Sequence, residues 1–280
     1  VRIVVTGGSG LVGRSVLRRL APNHEIVNVD LNEPDSPVGR HVRADVSDSA
    51  AVRAAVDGAD AVVHAAALPG PGFGTEAEID RVNVGGTQVV ARAALARGVR
   101  RFIFVSSEAV LGFVFTGGRS RPLYFPIDEA HPLSPSESYG RSKLSAEVFL
   151  RREVAGRMTI VSLRPPWVWV PEEYEKCRSL TADPGAWSDG LWAYVHGDDL
   201  ARAVELAIGA DLPAGYHAVY VAAADNGTVV PTRELTRRYY PGVPFRGDVA
   251  EFGSLISSRG ARDLLGYEPQ FRWREFLGEP

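Results

Sequence analysis

In Tyr139-Gly140-Arg141-Ser142-Lys143 a phenol and an ammonium stand four residues apart, which on a helix places them on one face a single turn from each other. A cation held there favours phenolate over phenol and draws a tyrosine pKa down from about 10 toward neutral pH, making Tyr139 a candidate general acid/base. Composition adds weight. Arg and Lys together number 31, yet only Lys143 and Lys176 are lysines, so a compact cation with three donors occupies a position in a chain that otherwise writes arginine. The same five residues would also suit an ordinary solvated helix face, so the surrounding elements must decide.

The helix that carries them has a clear expected start. Ser134-Pro135-Ser136-Glu137 supplies an N-cap serine, a proline at N1 and a glutamate at N3, predicting a helix fixed before its first two turns deliver Tyr139 and Lys143. Upstream, Arg101–Val105 (RFIFV) reads as a strand running into Ser106-Ser107-Glu108. A hydroxyl at the C-terminal end of a parallel strand faces the mouth of the sheet, so Ser107 could donate to a substrate oxygen while Tyr139 exchanges its proton. Ser106 is the weaker candidate of the two.

A cofactor element opens the chain. The β-branched run Arg2–Thr6 breaks into GGSGLVG and then a helical pattern with Leu11, Val12, Val16, Leu17 and Leu20 apolar, the strand, loop and helix that a phosphate-binding fingerprint requires. Gly7 suits the tight turn, Gly10 lets backbone N–H groups approach a pyrophosphate, and Gly13 lets helix and sheet approach closely. The next strand, Glu25–Asp30, ends in a carboxylate placed to accept both hydroxyls of an adenosine ribose. A 2′-phosphate would meet like charge there, and Leu31, Asn32 and Glu33 offer no cation, so NAD is favoured over NADP.

Further strands are expected near His41–Ala44, ending at Asp45-Val46, then at Ala61–Ala66, Met158–Leu163 and Tyr216–Ala222. His64, inside a buried-looking strand, reads as a hydrogen-bonded core histidine. Glu76–Arg97 reads as one long helix interrupted at Gly85-Gly86 and stopped by Gly98. Asn83 within it has no propensity reason to be there, so either chance or a polar role behind the active site accounts for it. Four of the five tryptophans, Trp167, Trp169, Trp187 and Trp192, fall in one stretch with Tyr174, and could stack on a sugar ring or pack an irregular lobe. Asp198 and Asp199 precede a helix over Leu200–Ile208, so capping accounts for at least one of them, and His196 reads as structural. Helices beginning at Thr232 and over Ser257–Leu265 would close a small lobe over the site.

The bulk properties fit this reading. With 280 residues, 45% hydrophobic, 23% charged and net charge −3, the chain is globular and carries no basic run that would mark a nucleic-acid or anionic-membrane partner. Small molecules are the expected partners. The single cysteine, Cys177, excludes an internal disulfide and suits a reducing cytoplasm. No apolar run approaches the roughly 18 residues of a membrane span, and no metal site is expected.

TGGSGLVG at Thr6, Asp30, Asp45-Val46, HAAA at His64, NVGGT at Asn83, SSEAVLG at Ser106, YGRSK at Tyr139, RPP at Arg164 and YVHGDDLARA at Tyr194 follow one another in the order of a known family. Through roughly residue 205 the chain resembles the extended short-chain dehydrogenase/reductases, the NAD-dependent epimerase/dehydratase group. The resemblance implies an α/β fold, a doubly wound Rossmann-type parallel sheet with a small mixed C-terminal substrate lobe. Residues 1–165 with 195–223 would form the NAD-binding domain, and 166–194 with 224–280 the substrate lobe. Ser107, Tyr139, Lys143 and Asn83 would be catalytic. Ser107 would polarise the substrate oxygen, Lys143 would hold the nicotinamide ribose and lower the Tyr139 pKa, and Asn83 would belong to a proton relay. NAD would contact Gly7, Gly10, Leu11, Val12, Asp30, Asp45, Val46, Ala65, Ala66, Lys143 and Pro166, with Asp45 and Val46 at the adenine. Substrate would meet Ser107, Glu108, Tyr139, Trp167 and Arg178. A homodimer seam formed by the helices at Glu76 and Ser136 would follow by analogy.

Departures from the family's patterns narrow the chemistry. Ala109 follows Glu108, so the acidic pair of the dehydratases is incomplete. Ala109 also replaces the histidine of uronate-oxidising members, and Trp167 stands where nucleotide-sugar enzymes carry asparagine. With only 137 residues after Lys143, a free sugar, sugar acid or polyol is expected rather than a nucleotide sugar. The first expectation is therefore an NAD-dependent dehydrogenase or reductase of such a substrate. An NAD-retaining sugar epimerase is the alternative, and a non-catalytic NAD-sensing regulator ranks last because Tyr139 and Lys143 are both retained.

Overall fold

A computed structural model describes residues 1–36, 38–118 and 120–277. Short strands, the central ones apolar and buried on both faces, generate its main sheet. These are β1 (Arg2–Thr6), β2 (Glu25–Asp30), β3 (Arg40–Arg43), β4 (Ala61–His64), β5 (Arg101–Val105), β6 (Thr159–Arg164) and, beyond a two-stranded pair, β9 (Gly215–Tyr220). All pair in parallel in the order β3-β2-β1-β4-β5-β6-β9, so the winding direction reverses between β1 and β4. Ligands of open α/β sheets bind at that reversal, outside the carboxyl ends of the strands.

Alternating residues of each strand feed two separate cores. Ile3, Val5, Ile103 and Val161 pack with Val16, Leu17 and Leu20 of α1 (Leu11–Leu20) and with Leu200, Val204 and Ala207 of α7 (Gly197–Gly209). On the other face Val4, Val27, Phe102, Phe104 and Ile160 meet Val52 of α2 (Ser49–Ala55), Val90 and Ala94 of α4 (Thr87–Ala96), and Ala146 of α5 (Ser138–Phe149). His64 interrupts the apolar run without cost to polar satisfaction. Its ring nitrogens lie 2.6 Å from Thr6 Oγ1 and 2.9 Å from Thr87 Oγ1, and burial pushes its pKa down to about 3, so it is the neutral core histidine expected.

The smaller part gathers a third apolar cluster that includes Trp169, Trp187, Trp192, Tyr194 and Trp273. Its frame is a short parallel pair, β7 (Trp167–Trp169) and β8 (Tyr194–His196), followed by α8 (Thr232–Tyr239), α9 (Arg259–Leu265) and α10 (Trp273–Leu277). The tryptophan-rich stretch thus contains two strands that its aromatic content concealed. Between them lies α6 (Tyr174–Thr181).

Three expectations change. The long helix is α3 (Glu76–Ile79), a π-helical segment Asp80–Gly86 and then α4, so Asn83 sits in a widened turn rather than a regular helix. Helix α5 begins three residues later than its serine and proline suggested, because Glu137 is the cap: its carboxylate accepts from the N–H groups of Tyr139 (2.7 Å) and Gly140 (2.5 Å). Ser134 and Pro135 instead lie against Gly112, where φ is +83° and the Ser134 carbonyl leaves no room for a Cβ. At α7 the cap is His196, whose ring accepts from Asp198 N–H. Asp199 turns away to accept from the N–H groups of Gln270 and Phe271 at 3.0 Å, so it anchors the C-terminal segment rather than its own helix.

Candidate active site

Backbone geometry at the switch point comes first. Gly7 has φ +74°, and a Cβ on it would stand 2.4 Å from Ala66 N. A Cβ on Gly13 would stand 2.1 Å from Gly7 O. The loop therefore lies flat between the end of β4 and the start of α1, which no side chain caps and whose first turn holds no acid. Unpaired N–H groups there, at Leu11 and Val12, form an anion site suited to a pyrophosphate. Asp30 closes the loop from β2: Oδ2 accepts from Ser9 N–H and Oδ1 from Asn32 N–H, both at 3.0 Å. Val46 is buried, whereas Asp45 accepts from Ser47 N–H and Oγ at 2.8 Å and pairs with Arg81 at 3.3 Å. The Ser47 bonds and the Arg81 charge hold the Asp45 carboxyl below the usual carboxylate range. These features fit a dinucleotide: a phosphate cradle, a carboxylate at ribose distance along β2, and an apolar wall.

At the end of β5 the chain turns sharply. Ser106 is drawn inward, its hydroxyl donating to Glu147 at 2.6 Å, and is structural. Ser107 lies close enough to the Tyr139 phenol to lower its pKa. The Ser107 oxygen accepts from Ala109 N–H at 3.1 Å, capping a 3-10 turn over Glu108–Leu111. Lys143 donates to Val105 O at 2.8 Å and lies 5.8 Å from the centre of the Tyr139 ring. Phenol and ammonium therefore lie together, with Ser107 at the end of the neighbouring strand.

The electrostatics differ from expectation. Burial pushes the Tyr139 phenol up to about 12. Ser107 opposes that rise, and the carboxyls of Glu137 and Glu108 reinforce it. Burial also pulls Lys143 down to about 8, against the pull of Glu147. Desolvation thus outweighs the ammonium, and the phenol of this site is a proton donor at neutral pH.

The model of the NAD dependent epimerase/dehydratase family matches residues 3–223. The chain belongs to that family. Its cofactor is accordingly NAD. Among curated relatives, an L-arabinose 1-dehydrogenase (NAD(P)(+)) of Haloferax volcanii is 29% identical over 84% of this chain and 93% of its own length. An NAD-dependent glucose-6-phosphate dehydrogenase of the same organism is 30% identical over 99% and 97%. An uncharacterized Sinorhizobium fredii protein is 30% identical, but this chain spans only 62% of it. A short-chain dehydrogenase/reductase superfamily protein from Agrobacterium tumefaciens, crystallised with bound NAD, shares the fold at TM-score 0.73 and 24% identity, over 99% of this chain and 95% of that one.

Asn83 braces α5. Its amide donates to Ser142 Oγ at 2.9 Å and to Leu68 O at 3.1 Å, while its oxygen accepts from Leu68 N–H at 2.8 Å. Ala65 and Ala66 line the glycine loop, and Pro166 is buried just past β6. Trp167 is half-buried, edge-on to Trp169 and Trp187. Arg178 is not brought to the group: it is exposed on α6, and the cation over the Trp167 ring, at 4.6 Å, is Lys176. Sequence reasoning also passed over Phe115, an exposed residue with φ +62° whose ring meets Tyr139 edge-on at 6.3 Å. No sequence motif marks it.

Proposed function

We propose that the chain is an NAD-dependent oxidoreductase acting on a secondary alcohol or carbonyl of a sugar-like substrate, a free sugar, sugar acid or polyol, with Tyr139 as acid/base. The carrying observation is Lys143, bonded to Val105 O at the carboxyl end of β5 and 5.8 Å from the centre of the Tyr139 ring, with Ser107 at the end of the same strand. Two dehydrogenases of sugars or sugar phosphates among relatives of matching length support the substrate class. In this reading residues 1–165 with 195–223 hold NAD, and 166–194 with 224–280 cover the substrate.

The pyrophosphate would rest on the loop from Gly7 to Gly13 with the N–H groups of Leu11 and Val12, the adenosine ribose on Asp30, the adenine beside Asp45 and Val46, and the rest along Ala65, Ala66, Lys143 and Pro166. When bound, NAD supplies the hydride acceptor or, reduced, the donor. In the reducing direction Ser107 orients the carbonyl oxygen and Tyr139 donates its phenolic proton to that oxygen. In the oxidising direction the same phenol oxygen takes the hydroxyl proton, and Lys143 stabilises the charge that develops. Asn83 keeps α5 in place while this happens. Trp167 offers the substrate an aromatic face.

The test is a panel of aldoses, uronates, polyols and nucleotide sugars followed for NADH formation, with Tyr139→Phe as blank. NADH accumulation with a free sugar or polyol supports the reading. Interconversion of sugar epimers with nucleotide retained and no NADH released overturns it in favour of an epimerase.

A further inference from the structure

Four carboxyl-bearing side chains are buried among the described residues, and three of them are satisfied. Glu147 receives Ser106 Oγ (2.6 Å), Ser162 Oγ (3.1 Å), and Arg164 Nε (3.0 Å) and Nη2 (2.6 Å). Asp199 receives two backbone N–H groups, and Asp225 receives Tyr194 Oη (2.6 Å) and Arg274 Nη1 (2.8 Å). Glu108 is the exception: 7% exposed, it forms no side-chain hydrogen bond or ion pair among the described residues.

Its setting shows where the missing partner would come from. The Glu108 backbone is pinned, its N–H donating to Pro165 O at 2.9 Å across the ends of β5 and β6. The carboxyl lies close enough to two phenols to raise both, Tyr139 on one side and Tyr240 of the small lobe on the other. Neither phenol is hydrogen-bonded to it, and Tyr240 donates instead to Ser188 O at 2.7 Å. The unpaired carboxyl therefore stands next to the group assigned to the reacting oxygen, facing the lobe that would cover the substrate.

We propose that Glu108 is a specificity-determining residue that takes the hydroxyl on the carbon adjacent to the reacting one, so that the site selects a 1,2-diol or α-hydroxycarbonyl over a simple secondary alcohol. This rests on the oxidoreductase reading above. Burial drives the Glu108 pKa well above the usual carboxylate range, so at neutral pH the group is a carboxylic acid. A neutral acid offers one donor and one acceptor, which matches a hydroxyl that both accepts and donates. A site built around such a contact rejects the analogue lacking the hydroxyl, because its own polar group is then left unpaired.

The test compares kcat/KM for D-glucose with 2-deoxy-D-glucose, and for propane-1,2-diol with propan-2-ol, in the NAD-loaded protein. Wild type is expected to favour each hydroxylated partner by at least about 100-fold. Glu108→Ala should bring that preference within about 5-fold while NAD affinity is kept, and Glu108→Gln, which retains a neutral donor and acceptor, should hold most of it. An unchanged preference in Glu108→Ala overturns the inference and leaves the oxidoreductase reading standing. Should wild type oxidise none of the four compounds, infrared difference spectra decide: a shift of the protonated Glu108 carboxyl band, assigned by its loss in Glu108→Gln, on adding D-glucose but not 2-deoxy-D-glucose supports the contact. Absence of that shift overturns it.

Discussion

Withdrawal of water moves the two ionisable groups of the catalytic helix in opposite senses, Tyr139 up to about 12 and Lys143 down to about 8, and each shift has a measurable result. Tyr139 stays protonated throughout the range in which proteins are assayed, whereas Lys143 loses its proton as pH rises through about 8. Carbonyl reduction is therefore expected to show a flat kcat/KM at lower pH and a fall above about 8, and Tyr139→Phe should lower it by about 100- to 10,000-fold with NAD affinity retained. Stability responds with the opposite sign. The Lys143 pKa is depressed from 10.5, so below about pH 8 the fold carries the full penalty of a buried ammonium, of order 3 kcal/mol, which is relieved as pH climbs toward 10.5. Allowing about 1 kcal/mol for the lost bond to Val105, Lys143→Met should be more stable than wild type by about 1–2 kcal/mol at pH 7 in urea titrations, with the gain disappearing near pH 10, while activity is abolished. The spacing of Tyr139 and Lys143 was legible in the sequence. The direction of the phenol's shift was not, because the burial and the nearby Glu137 and Glu108 arise from packing.

At the scale of elements, the junction of β1, the glycine loop and α1 is the proposed cofactor site. A Cβ at position 13 would collide with backbone, not with a yielding side chain, so Gly13→Ala must push α1 away from the loop. Its NAD affinity should weaken at least about 10-fold by calorimetric titration, with thermal stability lowered as well. The carboxylate at the end of β2 should set cofactor choice. Asp30→Ser is expected to reduce kcat/KM for NAD by about 10- to 100-fold and to raise the NADP-to-NAD ratio, as steady-state assays with both nucleotides would show. This region could be read from sequence because strand, glycines and helix are adjacent and act locally. The start of α5 could not. Ser134 and Pro135 satisfy local capping rules, but the approach of that segment to Gly112 removes them from the helix, and the longer Glu137 side chain folds back to cap it instead. Asn83 was noticed for being out of place in a helix. Its partners Ser142 and Leu68 became visible only once α5 and the π-helical segment were packed together.

For the molecule as a whole, the doubly wound sheet was legible because its central strands β1, β4, β5 and β6 are compact, largely apolar runs. The pair β7 and β8 was not, since strands of three residues, Trp-Val-Trp and Tyr-Val-His, are too short for an alternation that distinguishes them from packed loop. What holds the small lobe is a buried polar node. Tyr194 Oη donates to Asp225 and accepts from Trp273 N–H at 2.7 Å, and Arg274 bonds the other Asp225 oxygen. Asp225→Ala leaves buried partners stranded and should cost about 3–5 kcal/mol, seen as a lower denaturant midpoint. All five tryptophans belong to this same cluster, Trp167 at its edge. Ultraviolet excitation of indole therefore senses the smaller half of the molecule and leaves the nucleotide half dark. Reduced nicotinamide absorbs where indole emits, so NADH formed beside Trp167 would draw off that light, and turnover could be followed from the protein's own luminescence without a dye.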